Sequence, residues 1–141
     1  MKKSLLAFAS IIIVFLGIFY FYNVNKTTSL DNVLSDIDVS DITSIEIIKS
    51  SDNKEKILQN KNEINNFIQI FSQVEFKERS LKKLKFDESY WITIRENEER
   101  SVGMTIYDEN YMLVYIYKPT SQNSFEILNG RSLTDIENYF K

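Results

Sequence analysis

The apolar positions of this chain fall into one continuous run near the start and a longer region of alternating pattern. The run from Ser4 to Tyr22 contains no charged residue, and Lys2 and Lys3 precede it. A helix of these nineteen residues rises about 28 Å, which is close to the hydrocarbon thickness of a bilayer. The run therefore predicts a single transmembrane helix. The two lysines favour a cytoplasmic N-terminus, with the C-terminal domain outside the cell.

A cleaved signal peptide is the alternative interpretation of this run. Signal peptides have a shorter apolar core and end in a small-x-small cleavage site. The flank Phe21-Tyr22-Asn23-Val24 offers no such pair of small residues. We therefore expect an uncleaved membrane anchor at residues 1–22. Secretion after cleavage and a buried helix of a soluble protein are the other two interpretations.

Residues 23–41 are expected to connect the anchor to a domain at residues 42–141. Residues 23–28 are polar and predict a tether. A short helix is expected after Ser29, which is a suitable cap, because the apolar residues that follow have helical spacing. These residues are Leu30, Val33, Leu34 and Ile37.

Alternating apolar residues predict an antiparallel sheet in the domain. The predicted strands cover residues 42–49, 55–58, 90–95, 102–106, 111–117 and 125–128, and short polar turns connect the central ones. In the strand at 111–117, Met112, Val114 and Ile116 share one face. The tyrosines of this strand are therefore expected on the opposite face.

Two helical patterns accompany the predicted strands. Asn60 to Glu63 resembles a capping box, and apolar residues follow at the spacing of one helical face: Ile64, Phe67, Ile68, Phe71 and Val74. A last helix is expected after Ser132, with Leu133, Ile136 and Phe140 facing the sheet. The order predicts an α+β fold, in which an antiparallel sheet carries two helices on one face.

Composition narrows the classes of function. The 141 residues include no cysteine and no histidine, so disulfides, a lipid-modified cysteine and the commonest general base are excluded. The net charge of −3 gives no basic balance that would favour nucleic acid. We therefore expect no catalytic residues, no metal site and no cofactor, and a protein that is not an enzyme.

Four tyrosines form the first candidate site. Tyrosine combines a flat apolar ring with a polar tip, which suits stacking on sugars or contact with a protein partner. The simpler interpretation is that strands favour tyrosine on half-buried faces for packing alone. The predicted partner-binding face consists of Tyr107, Tyr111, Tyr115 and Tyr117.

A basic segment forms the second candidate site. Its cations would contact anionic headgroups or wall phosphates, although a solvated loop is the simpler interpretation. The segment contains Lys77, Arg79, Lys82, Lys83 and Lys85.

Three further motifs are weaker evidence for a functional site. Ser80 to Lys83 matches S-x-x-K, but the other elements of penicillin-binding enzymes are missing. Asp36, Asp38 and Asp41 offer oxygen ligands for calcium, but without the glycine turn of a calcium loop. Glu96, Glu98 and Glu99 fall on a predicted hairpin tip, where solvated carboxylates have ordinary protonation and are useless as catalytic acids.

The segments DITSIEIIKS and NKNEINNFIQIF, with the alternating strands from Tyr90 onward, carry a resemblance to a known group. Over about residues 41–141 the chain resembles small extracytoplasmic domains of unknown function in Bacillus and related Gram-positive bacteria. Such domains follow a lipoprotein signal or a single membrane helix. The resemblance implies an envelope location and no catalytic residues.

The expected function is therefore a non-enzymatic binding module at the cell envelope. It would be held to the cell membrane by residues 4–22 and would bind a membrane protein, a peptide or a cell-wall polymer. An envelope enzyme, or an enzyme inhibitor of the immunity type, is the alternative.

Overall fold

A computed structural model describes residues 2–24, 27–35, 37–80, 85–108, 110–129 and 136–141. The first element is helix α1 (Lys2–Val24), whose described side chains are those of residues 10–22. Judged on the residues that the structure describes, no helix combines the length and the hydropathy that crossing a membrane requires.

Among the described residues, eight strands and the helices α2 and α3 follow α1, and helical residues 136–138 come last. The strands are β1 (Thr27–Ser29), β2 (Ile42–Lys49), β3 (Glu55–Leu58), β4 (Glu75–Glu78), β5 (Ser89–Glu96), β6 (Glu99–Tyr107), β7 (Tyr111–Ile116) and β8 (Ser121–Ile127). The helices are α2 (Leu30–Val33) and α3 (Lys61–Ser72), and a 3₁₀ turn covers Val39–Asp41. All strands join one antiparallel sheet in the order β1-β4-β8-β7-β6-β5-β2-β3. The predicted α+β class and antiparallel sheet are confirmed.

The central strands form because short turns join alternating apolar segments. Asn97 and Glu98 both have positive φ, at 47° and 71°, and connect β5 to β6. A two-residue turn of this kind matches the twist of the flanking strands. The inner face of the sheet, defined by its buried side chains, includes Ile47, Ile92 and Val114.

Helix α3 covers the inner face. Its side chains Ile64, Phe67, Ile68 and Phe71 are all buried, as the helical spacing predicts. The Asn60 side chain begins the helix by accepting a hydrogen bond from the Asn62 amide at 2.8 Å. This cap satisfies one of the amides that a helix start leaves without a partner.

The chain ends against the same inner face. Residues 136–138 are helical and Ile136 is buried. The rings of Phe140 and Tyr90 lie 6.1 Å apart, and those of Tyr139 and Phe67 lie 6.2 Å apart. The predicted last helix therefore packs on the sheet through these residues, while its expected cap Ser132 and Leu133 lie outside the described residues.

Strands β1 and β4 were not predicted. Thr27–Ser29 pairs with β4, and β4 pairs with β8, so part of the expected tether belongs to the sheet. Leu30 and Leu34 are buried in the core. Ser29 precedes α2 as expected, but its side chain makes no capping hydrogen bond. Both strands are short and mostly polar, so alternation was too weak to indicate them.

Candidate functional site

The outer face of the sheet is the main candidate site. It lies opposite the core, because strand side chains alternate between the two faces. Cross-strand pairing places Ile48 of β2 beside Trp91 of β5, Trp91 beside Thr105 of β6, and Thr105 beside Leu113 of β7. These pairs form one continuous row across four strands.

Trp91 and Ile57 are the most exposed apolar side chains of this face. Trp91 is 52% exposed and Ile57, on the edge strand β3, is 49% exposed. Ile57 pairs with Glu46, the neighbour of Ile48 on that face. Large apolar side chains that stay exposed on one face of a sheet are candidates for a binding surface.

The four predicted tyrosines lie on this side of β6 and β7 as two pairs, one on each side of Thr105 and Leu113, with Tyr117 just after β7. Tyr107 pairs directly with Tyr111, and the Phe86 ring lies 4.7 Å from the Tyr107 ring. Tyr115 and Tyr117 form an edge-to-face pair at 4.8 Å. All four side chains are half-buried, so Trp91 exposes more than any of them.

Sequence reasoning missed Trp91, Ile57 and Phe86 as members of the face. The signal for Trp91 was present, because Tyr90, Ile92 and Ile94 alternate on the inner face and leave Trp91 outside. For Ile57 and Phe86 the sequence held no comparable signal, because β3 is short and Phe86 lies outside any strand.

Some of the charged side chains near the row have partners within the domain. Arg95 Nη2 lies 3.2 Å from Glu46 Oε2. Glu88, at the start of β5, accepts hydrogen bonds from the Ser50 hydroxyl at 2.9 Å and from the Ser51 and Ser89 amides. Burial raises the pKa of Glu88, but these bonds outweigh it and hold the pKa below its ordinary value. The outer face therefore combines apolar and aromatic side chains with a few charged ones, of which Glu55 lies exposed beside Ile48.

The described residues of the basic segment do not form a single patch. Lys77 belongs to strand β4 and Arg79 pairs with Glu126 at 3.0 Å. Lys85 is exposed, whereas Lys82 and Lys83 lie outside the described residues. The described part of this segment is thus divided between the sheet edge and a surface ion pair.

Residues of two of the weaker motifs form hydrogen bonds in the structure. Hydrogen bonds from the Ser40 side chain and from the Ser40 amide lower the pKa of Asp38. A hydrogen bond from Lys118, with its charge, lowers the pKa of Glu99 below its ordinary value. Asp36 and most of the S-x-x-K motif lie outside the described residues. Over the described ranges, no cluster of three or more acidic residues is placed to hold a metal ion.

A cleft of about 960 Å³ opens at one end of the sheet. Helix α2 and the residues after it lie on one side, and the β5–β6 and β7–β8 turns lie on the other. The cleft walls combine apolar, hydroxyl, amide and charged side chains, including Val33, Ile116, Asn123, Glu78 and Lys118. It is separate from the row around Trp91.

One comparison with known proteins finds a family. Residues 32–123 match DUF5301, a family described as a domain of unknown function (DUF5300). The match covers 92 of the 141 residues. The chain belongs to this family. No curated protein and no solved structure matches the chain.

Proposed function

We propose that this protein is a membrane-anchored binding module whose outer sheet face binds a protein partner outside the cell. The observation that carries the proposal is the exposed ring of Trp91 within the row formed by Ile48, Trp91, Thr105 and Leu113. The domain already has a continuous core on the inner face, and this row is not part of it. Its apolar area is therefore available for a partner.

A protein partner suits the chemistry of this face better than a sugar polymer. Aromatic anchors surrounded by aliphatic side chains are typical of protein interfaces, and Ile48 and Ile57 extend Trp91 in this way. A sugar would need polar groups with spare hydrogen-bonding capacity around the ring. The nearby Arg95 and Glu46 already bind each other.

Two observations support the proposed anchor, namely the apolar sequence of α1 and the exposure of its apolar side chains. The apolar run begins at Ser4, before the first described side chain of the helix, and continues to Tyr22. Its large apolar side chains from Ile11 to Tyr22 are between 45% and 73% exposed. Such a surface is unfavourable in water and favourable in lipid, and the helix satisfies its own backbone polar groups.

The absence of natural cysteine allows a direct test of the anchor and its orientation. Asp52→Cys places one thiol on the β2–β3 turn, and Lys3→Cys places one before the apolar run. We expect a membrane-impermeant maleimide to label Asp52→Cys in intact cells and Lys3→Cys only after permeabilisation. Protein found free in the medium and beginning after Tyr22 would replace the anchor with a signal peptide.

Photocrosslinking tests the binding face. A photoreactive phenylalanine analogue in place of Ile57, in the full-length protein in native membranes, is expected to give one discrete adduct. The same analogue in place of Asn65, which is exposed on α3, serves as the control. The adduct should weaken when Trp91→Ala is added to the Ile57 probe.

The partner identified from that adduct is then purified and titrated. Trp91 is the only tryptophan, so its fluorescence reports contact with the outer face directly. We expect a blue shift on binding and a rise in Kd of about tenfold or more in Trp91→Ala. Equal affinity of wild type and Trp91→Ala would contradict the proposal.

A further inference from the structure

The cleft at the end of the sheet has a chemistry different from that of the outer face. We propose that it binds an extended peptide segment carrying an aliphatic side chain next to a basic one. This site lies between α2 and the turns of the sheet and shares no residue with the row around Trp91. It is therefore independent of the protein-binding surface proposed above.

The size and position of the cleft suit a ligand. Its volume of about 960 Å³ lies near the upper end of the range for small-ligand sites, about 300–1,000 Å³. Small-ligand sites are concave clefts whose walls combine apolar side chains with a few polar groups. Here the β5–β6 turn contributes Asn97 and the β7–β8 turn contributes Pro119.

The cleft walls offer both apolar area and hydrogen-bonding groups. Ile116 and Val33 are half-buried and supply surface for an aliphatic side chain. Thr28, Ser121 and Asn123 line the same cleft with hydroxyl and amide groups. These groups both donate and accept hydrogen bonds, as recognition of a peptide backbone requires.

Charge selects a basic side chain. Glu78, Glu96 and Glu99 line the cleft, against two cations, Arg100 and Lys118. Glu99 is held by Lys118, and Glu96 accepts a hydrogen bond from Ser101 but keeps its charge. With Arg100 as the remaining cation, the cleft walls carry one carboxylate in excess.

Glu78 is the acceptor left for a ligand. It is exposed, and no hydrogen bond or ion pair holds its carboxylate within the described part of the chain. A basic ligand group would therefore meet an available carboxylate at Glu78. The pair would be a charge-assisted hydrogen bond, which is stronger than a neutral one.

Two other ligand classes fit less well. A sugar is expected to stack on an exposed aromatic ring, but the aromatic side chain lining this cleft, Phe125, is only 5% exposed. An anionic lipid headgroup would meet walls on which three carboxylates outnumber two cations, so the net charge disfavours it. A peptide with a basic side chain uses the apolar, polar and acidic parts of the wall together.

Fluorescence anisotropy with defined probes tests the site. The full-length protein is held in nanodiscs of phosphatidylcholine, and the probe is the fluorescein-labelled peptide Ser-Gly-Leu-Lys-Leu-Gly-Ser. We expect saturable binding, and weaker binding of the same peptide with Glu in place of Lys. Glu78→Lys should weaken binding of the Lys peptide by about fivefold and strengthen binding of the Glu peptide.

Glu75→Lys is the matched control, since Glu75 lies on the same strand, is exposed and does not line the cleft. It should leave both affinities unchanged. Because Glu78→Lys should gain affinity for the Glu peptide, misfolding cannot mimic the expected result. Equal binding of the two peptides to wild type, no saturable binding of either, or binding of chitotetraose in place of both would overturn the proposal.

Discussion

Three consecutive residues of strand β5 show how its two faces differ. Tyr90 and Ile92 point inward and are 3% and 1% exposed, whereas Trp91 between them is 52% exposed. Folding itself explains the apolar inner side chains, because they leave water for a packed core and so stabilise the folded state. Burial in the core does not explain the apolar ring of Trp91, which stays exposed. The comparison separates residues that the fold needs from residues that are available for binding.

The largest effect is expected on the inner face. Ile92→Ala removes a fully buried side chain and leaves a cavity between the sheet and its covering helices. We expect the free energy of unfolding to fall by about 3 kcal/mol, within the range for buried Ile or Leu to Ala. Urea unfolding of the full-length protein in detergent micelles, followed by Trp91 fluorescence, measures this. A loss below about 1 kcal/mol would mean that the inner face is not tightly packed.

Glu88 fixes the start of β5 against the β2–β3 turn, and so aligns both faces. Glu88→Gln replaces a charged acceptor of three hydrogen bonds, and we expect a loss of about 1–2 kcal/mol at neutral pH. Because the folded pKa lies below the ordinary 4.5, the stabilisation is present above pH 4.5 and disappears as pH falls through the folded value. Glu88→Gln should remove this acid dependence. A parallel acid response in wild type and variant would contradict the assignment.

Tyr90 tests the polar contact of the inner face. Its hydroxyl donates to Glu137 at 3.3 Å, and Tyr90→Phe is expected to cost about 1 kcal/mol. Burial, with the charge of Glu137, raises the pKa of Tyr90 to about 12.

A raised folded pKa stabilises the protein below the ordinary value of 10, and this contribution is lost as pH rises from 10 to about 12. Urea titrations across this range should show the loss in wild type and a smaller one in Tyr90→Phe. The phenolate absorbance should titrate with one tyrosine fewer at the high end of the range in the variant.

The smallest effect on stability is expected on the outer face. Trp91→Ala should change the free energy of unfolding by less than about 1 kcal/mol, because half of the ring is already in water. Circular dichroism follows unfolding here, since the variant lacks the fluorescent reporter. If Trp91→Ala cost as much as Ile92→Ala, the outer face would be structural and its proposed role in binding would fail.

The elements best predicted from sequence are those whose pattern repeats over many residues. Alternation predicted that Met104 and Val114 share the inner face of the sheet, and helical spacing predicted that Phe67 and Phe71 share one face of α3. All four side chains are buried. Strands β1 and β4 carry too few apolar residues for either period, and Phe76 is the only fully buried side chain of β4. Their pairing depends on partners distant in sequence, and local pattern does not report such partners.

The candidate site was predictable only in part. The four tyrosines were placed on the correct face, because period two is strict in a strand. Their degree of exposure depends on what packs beside them, such as Phe86 against Tyr107. The cleft was not predictable, because Val33, Glu78 and Ile116 are far apart in sequence and meet only through the sheet order.

The short distance along the chain between α1 and β1 has a mechanical consequence. Only Asn25 and Lys26 separate the two elements. If α1 is fixed in a membrane, any force from a bound partner reaches the domain through β1, which only three residue pairs join to β4. This ladder would open first, and each released residue would lengthen the chain by about 3.5 Å. The next barrier to extension is Leu30, whose side chain is fully buried in the core.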